Sequence, residues 1–190
     1  NVNGIVIAGA ITEAHTLLRT ETASSSSTLS FTTRIDSTFD VYEFHFTNMH
    51  PATNDSDFSF QVNAAGATGF DETITSTFIR TWHRESADVY NLDYGTGDDQ
   101  AQGTAYQSLY DRVDSSNDSS TSGILTLYGP SSTTYVKHFV SRLNAMHAAD
   151  YTMENLAAGY INTTAAIDEI SFKFSSGNID AGTIHMYGVG

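Results

Sequence analysis

The chain has 190 residues, no cysteine, and 22 Asp and Glu against 8 Lys and Arg, for a formal net charge of −14. That length fits one domain able to bury about 70% of its unfolded surface, and without cysteine there is no disulfide, thiolate metal centre or cysteine nucleophile. The excess of carboxylate repels phosphate backbones and anionic lipid, which argues against nucleic-acid partners, and no apolar run approaches the eighteen or so residues of a membrane-spanning helix.

Residues 1–19 read as an N-terminal arm. Its apolar stretch, residues 4–10, is too short for a span and lacks the charged flank of a signal peptide, so a first strand is expected there. Residues 20–28, with Ser24 to Ser27 in a row, form a Ser/Thr-rich link to a body spanning 29–190. A short apolar strand on a flexible link can add to a neighbour's sheet, which makes Ile5, Val6, Ile7 and Ile11 the candidate assembly contacts.

Within the body, apolar residues alternate with polar ones. Leu29, Phe31, Thr33 and Ile35 share one face. Tyr42, Phe44 and Phe46 point one way while Glu43, His45 and Thr47 point the other, and Phe58, Phe60 and Val62 repeat the pattern. A turn at Ala64 to Gly69 precedes a strand with Ile74, Phe78 and Trp82 on one side, which makes Trp82 a core residue. Further strands are expected at Ile124 to Tyr128, at Tyr135 to Asn144, and in a closing pair: Ile170, Phe172 and Phe174, the turn Ser176-Gly177-Asn178, then Gly182 to Val189. Period two dominates, so the fold class is all-β, an antiparallel sandwich or barrel of about eight to ten strands, with Phe44, Phe60 and Phe172 facing one interior. Ala145 to Ala158 is the one stretch expected to carry a short turn of helix.

A long polar excursion, residues 84–122, interrupts the pattern. Tyr90, Leu92 and Tyr94 make one strand face in it, Tyr106 to Val113 suggests another strand, and Asp114 to Ser122, with no apolar residue, is expected to be a solvated loop. Long excursions in compact domains are often functional, and Tyr rings beside Asp and Asn can stack on sugars. Tyr90, Tyr94, Tyr106 and Tyr110 are therefore the candidate glycan contacts.

Motifs for chemistry are missing. The sequence contains no Gly-x-Ser-x-Gly elbow, phosphate-cradling Gly loop or His-Glu-x-x-His pair. Seven histidines stand singly, and Asn54 to Asp57 and Asp98-Asp99 offer oxygen ligands without a complete calcium loop, so neither a metal nor a cofactor is expected. The best carboxylate pairs, Asp98 with Asp99 and Asp111 with Asp114, need only be surface acids, and no catalytic residue is assigned.

The closing run Ile170-Ser171-Phe172-Lys173-Phe174-Ser175-Ser176-Gly177-Asn178, ending in Tyr187-Gly188-Val189, resembles the small β-rich virion structural proteins of tailed bacteriophages, notably marine ones. Phe39 to Thr53, Asp57 to Asn63 and Ser122 to Pro130 are similar to earlier strands of that family, in the same order, whereas residues 84–122 follow it poorly. The resemblance implies a jelly-roll-like sandwich without catalytic residues, sited at the particle surface as a capsid decoration or as a head or tail appendage. It also implies other virion proteins as partners and a homo-oligomer, with a trimer as the expected state. Sandwich edges must be covered, and the usual gatekeeper, Lys, occurs only at Lys137 and Lys173, which gives a physical motive for neighbouring subunits. The alternative is a receptor-recognition module of tail-fibre type that binds host cell-surface glycan.

Overall fold

Alternation of buried and exposed side chains along nearly every strand sets the architecture, a computed structural model of which describes residues 15–147 and 149–190. The strand expected over residues 4–10 and the contacts Ile5, Val6, Ile7 and Ile11 lie outside the described residues. The described strands are β1 (Thr16–Thr22), β2 (Leu29–Phe31), β3 (Val41–Pro51), β4 (Ser56–Ala64), β5 (Ile74–Arg84), β6 (Tyr90–Tyr94) and β7 (Ala101–Gly103). They continue with β8 (Gln107–Val113), β9 (Thr121–Tyr128), β10 (Lys137–His147), β11 (Tyr151–Ile161), β12 (Ile167–Phe174) and β13 (Ile179–Val189). Among the described residues there is no helix.

Eight of these strands form two antiparallel sheets, β1-β13-β3-β9 and β2-β12-β4-β8. Numbered among themselves, the eight run 1-8-3-6 and 2-7-4-5, the order produced by the two Greek keys of a jelly roll. The remaining five are insertions: β5 to β7 between β4 and β8, and β10 to β11 between β9 and β12. Both insertions extend the first sheet past β9, as β9-β10-β11-β5, with β6 and β7 on the far side of β5. The two sheets join through one pair, His147 with Val113. The jelly-roll-like sandwich expected from sequence is present, with more strands than the eight to ten expected because the insertions pair as hairpins.

Aromatic rings fill the space between the sheets. Phe172 packs against Phe31, Phe44, Phe46 and Phe58 with ring centroids 6.2, 5.4, 5.2 and 6.1 Å away, and Phe60 meets Phe139 at 5.0 Å. All are buried, and each such side chain contributes roughly 1.5–3 kcal/mol through burial. Strand β4 is buried on both faces: Gln61, on its polar side, donates from Nε2 to the carbonyls of Glu72, Ala105 and Thr104 at 2.9, 3.0 and 3.2 Å, so loops cover the strand. The closing hairpin depends on two glycines. Gly177 has φ of 71°, which the turn after β12 requires, and a Cβ on Gly188 would lie 2.3 Å from the Phe39 ring.

Several expectations change. Ala145 to Ala158, expected to hold a helical turn, is the β10–β11 hairpin: Ala145, Met153 and Ala157 all face the core at period two, and Asp150, with φ of 61°, makes the turn. The arm and link divide elsewhere, because β1 spans residues from both and pairs along β13. Asp114 to Ser122 is only partly a solvated loop. Asp114, Ser119 and Thr121 are buried, Ser119 Oγ donates to Asp114 at 2.8 Å, and β9 begins at Thr121. Neither lysine guards an edge. Lys137 is fully buried, donating from Nζ to the carbonyls of Tyr135 and Thr163 at 3.1 Å each, and Lys173 sits mid-sheet on β12 with Nζ 4.1 Å from the Tyr106 ring centre. The edges are blunted within the chain: β2 and β7 have three residues each, and β1 carries a bulge between Leu17 and Arg19.

Candidate functional site

The outer face of the extended first sheet presents apolar side chains to solvent. Antiparallel register places Ile79 of β5 opposite Leu156 of β11, Leu156 opposite Arg142 of β10, and Arg142 opposite Ile124 of β9. One step along each strand lie Val140 and then, opposite His138, Tyr128. Ile79, Leu156, Ile124, Val140 and Tyr128 are 37% to 45% exposed, although their strand neighbours Phe78, Ala157, Leu125, Phe139 and Leu127 are buried. The same alternation that sends a residue inward must send its neighbour outward, and here four aliphatic side chains, Ile79, Leu156, Ile124 and Val140, stand outward among polar ones such as Arg142, His138 and Thr126. Ile79, Val140 and Leu156 all come from inserted strands, so the additions to the eight-stranded body create this surface.

Toward the β6 rim the same face opens into a shallow groove of about 830 Å³, walled by Tyr90 and Leu92 with Asn144, Arg142 and Glu154 as its polar groups. Tyr90 is 78% and Leu92 67% exposed. Arg142 crosses the groove floor in an ion pair with Glu154. Trp82, expected in the core, stands on the inner face of β5 opposite buried Met153 and packs against the core only in part, with the Arg80 guanidinium 6.0 Å from its ring centre.

The four candidate tyrosines separate. Tyr90 and Tyr94 stand on the outer side of β6, with the Tyr94 hydroxyl donating to Asp99 at 2.7 Å. Tyr106 packs instead against Lys173 of the second sheet. Tyr110 is fully buried, its hydroxyl donating to the carbonyl of Ala145 at 3.2 Å, and burial next to Asp111 raises its pKa. It cannot reach a glycan. Six of the seven residues of β8 are buried, on both of its faces, and its period-two pattern gives no sign of this.

Behind the groove, Arg80 gathers three carboxylates. It donates to Asp111 at 2.8 Å, to both oxygens of Asp93 at 3.1 and 3.3 Å, and to Asp98 at 3.5 Å, while Asn155 Nδ2 donates to the other Asp111 oxygen at 2.7 Å. Burial works against the guanidinium charge, but hydrogen bonds to Asp93 and Asp111 outweigh it and raise the Arg80 pKa. Arg112, 3.4 Å from Asp111, is the second cation, so two cations face three anions. Asp98 takes up the difference, pushed up to about 6 by burial and by the Asp111 charge, with Arg80 opposing. Of the carboxylate pairs read from sequence, Asp111 is thus held by Arg80 and Asn155, Asp114 by Ser119, and Asp99 by Tyr94. His83 lies on the opposite, outer face, 6.3 Å from the Tyr90 ring. The acidic stretch Asn54 to Asp57 is tied to the end of β8: Asn54 Oδ1 accepts from the Ser115 amide at 3.2 Å and Asp57 Oδ1 from the Arg112 amide at 2.9 Å.

One histidine group is brought together that the sequence keeps apart. His15 Nε2 and His45 Nε2 lie 3.0 and 2.8 Å from the same Glu43 oxygen. Glu43 and His45 sit on one face of β3, as their i, i+2 spacing foretells, but His15 arrives from 28 positions before Glu43, across β13. Only the β1–β13–β3 pairing makes this group, and no local spacing signals it.

Comparison with protein-family models, with curated proteins and with solved structures finds no match to this chain.

Proposed function

We propose that this protein is a non-enzymatic virion structural protein of a tailed phage, a capsid decoration or a head or tail appendage, held at the particle surface by copies of itself and by other virion proteins. The observation that carries the reading is the exposed aliphatic group of Ile79, Leu156, Ile124 and Val140, three of them on inserted strands and Ile124 on the adjoining β9. Aliphatic side chains clustered on an exposed sheet face, here around Arg142, are costly to leave in water and suit an interaction site. The jelly roll suits the role, being an architecture that capsid proteins use, although fold alone assigns no function. The net charge of −14 suits it as well, since it keeps the remaining surface soluble. The motive for assembly thus moves from the sheet edges, which the chain blunts for itself, to this face.

A second reading, a receptor-recognition module for host cell-surface glycan, is favoured by the groove in which Tyr90 and Leu92 stand beside Asn144, Arg142 and Glu154. Apolar walls with a few polar groups are the usual makeup of a sugar site. The test is quantitative mass spectrometry of purified particles together with a glycan array. Structural abundance in particles and no selective array signal support the first reading. A selective signal lost on Tyr90→Ala supports the second, and absence from particles removes the first.

A further inference from the structure

We propose that His15, Glu43 and His45 form a binding site for one first-row divalent transition cation, zinc above all, that fastens the root of the N-terminal segment to the sandwich. The ligand atoms of these residues all lie within 4.8 Å of one another, with both imidazole Nε2 atoms converging on one carboxylate oxygen at 3.0 and 2.8 Å. A tetrahedral zinc ion with bonds of 2.0–2.1 Å needs ligand atoms about 3.3 Å apart, so the two nitrogen–oxygen distances already fall within a few tenths of an ångström of that requirement. Two imidazoles and a carboxylate are the donor set that suits zinc and its neighbours rather than calcium or magnesium, which take oxygen alone.

The surroundings hold these groups in place. Tyr187 of β13 stands opposite Glu43, and its ring lies 4.8 Å from that of His45 and 6.1 Å from that of His15, a wall for both imidazoles. His185, opposite His45 on β13, is turned to Thr20, whose hydroxyl is 2.9 Å from its Nδ1, and stays out of the group. The side chains of His15, His45 and Glu43 are 45%, 33% and 20% exposed, so the solvent side is open for a water or an outside ligand as fourth donor. Three protein ligands with an open position is the arrangement of zinc sites that exchange a ligand. Among the described residues β1 is an edge strand and pairs with β13 alone. A cation joining His15 to β3 would therefore tie the chain just before β1 to a strand at the centre of the sheet.

The test is isothermal titration of the purified full chain with zinc chloride, with melting followed in parallel. One equivalent of zinc is expected to bind and to raise the melting temperature, because a cation bound only by the folded state stabilises it. His45→Ala and His15→Ala should each weaken binding at least about 100-fold, the upper end of what losing a mere outer-shell partner costs, and should abolish the thermal shift. His83→Ala, far along the sheet on β5, should change neither. Both ligand histidines are partly exposed, and circular dichroism of each variant verifies that it folds. Failure of the parent to bind zinc saturably, or equal binding by the parent and the His15→Ala/His45→Ala double variant, would overturn the proposal and leave the trio a hydrogen-bonded cluster.

Discussion

Phe172 is the residue on which the interior converges, with four phenylalanine rings at centroid distances between 5.2 and 6.2 Å and no exposure of its own. Truncating it leaves a cavity that rings from both sheets cannot collapse to fill. Phe172→Ala should cost about 3–5 kcal/mol, read from chemical denaturation, and a loss under 1 kcal/mol would contradict this account of the core. Its inward facing could be read from the alternation of Ile170, Phe172 and Phe174. Asp98 could not be read the same way, because its partners come from three other strands or loops. It carries a proton in the folded state up to a pH of about 6, against an ordinary value of 3.8. Between these two values the folded chain keeps a proton that the unfolded chain has released, so the stability linked to Asp98 is present below about pH 4 and lost as pH rises through 6. Asp98→Asn, which mimics the protonated form, should melt with the parent near pH 4 and be more stable near pH 7.5. The gap should be on the order of 1–3 kcal/mol, since two pKa units correspond to about 2.7 kcal/mol and some contact with Arg80 is retained. Equal melting at both pH values would contradict the raised pKa.

Among the elements, β3, β4, β12 and β13 are legible because each carries large apolar residues at period two on the face it turns to the core. β10 is legible over most of its length, as the strand expected at Tyr135 to Asn144, but its hairpin with β11 is not. Its inward residues include Ala145, Ala157 and Gly159, which are small because the opposing rings are large: a Cβ on Gly159 would fall 2.9 Å from the Phe139 ring. Without neighbours in view, an Ala-rich run looks helical. β6 is legible, since Tyr90, Leu92 and Tyr94 make the strand face expected there, whereas β7 is obscure because it has only three residues and forms a strand only where β5 offers it a ladder. Hydrogen exchange should reflect this ranking. Amides of β4, buried on both faces and paired on both sides, should exchange among the slowest, and those of β6 and β7 among the fastest. Protection of β6 equal to that of β4 would show that the insertion is a firmer part of the body than its packing implies.

At the scale of the molecule, a jelly roll with its interior filled by side chains has little room for an internal ligand, so its functional surface is external. The sequence pointed to the N-terminal arm and to sheet edges as the places where partners attach. Within the described residues the fold puts the weight on the broad outer face. That face was hard to see in advance because its apolar residues, Ile79, Ile124, Val140 and Leu156, belong to four strands spread over the chain and become one surface only through register. The most direct test of this surface is the mass of the purified protein in solution by light scattering, measured for the parent and for Val140→Lys/Leu156→Lys, two exposed substitutions that spare the core. The parent is expected as an oligomer, a trimer having three times the 20.6 kDa of the chain, and the variant as a folded monomer. A parent that is monomeric at the highest soluble concentration, or a variant that keeps the parent's mass, would contradict assembly through this face.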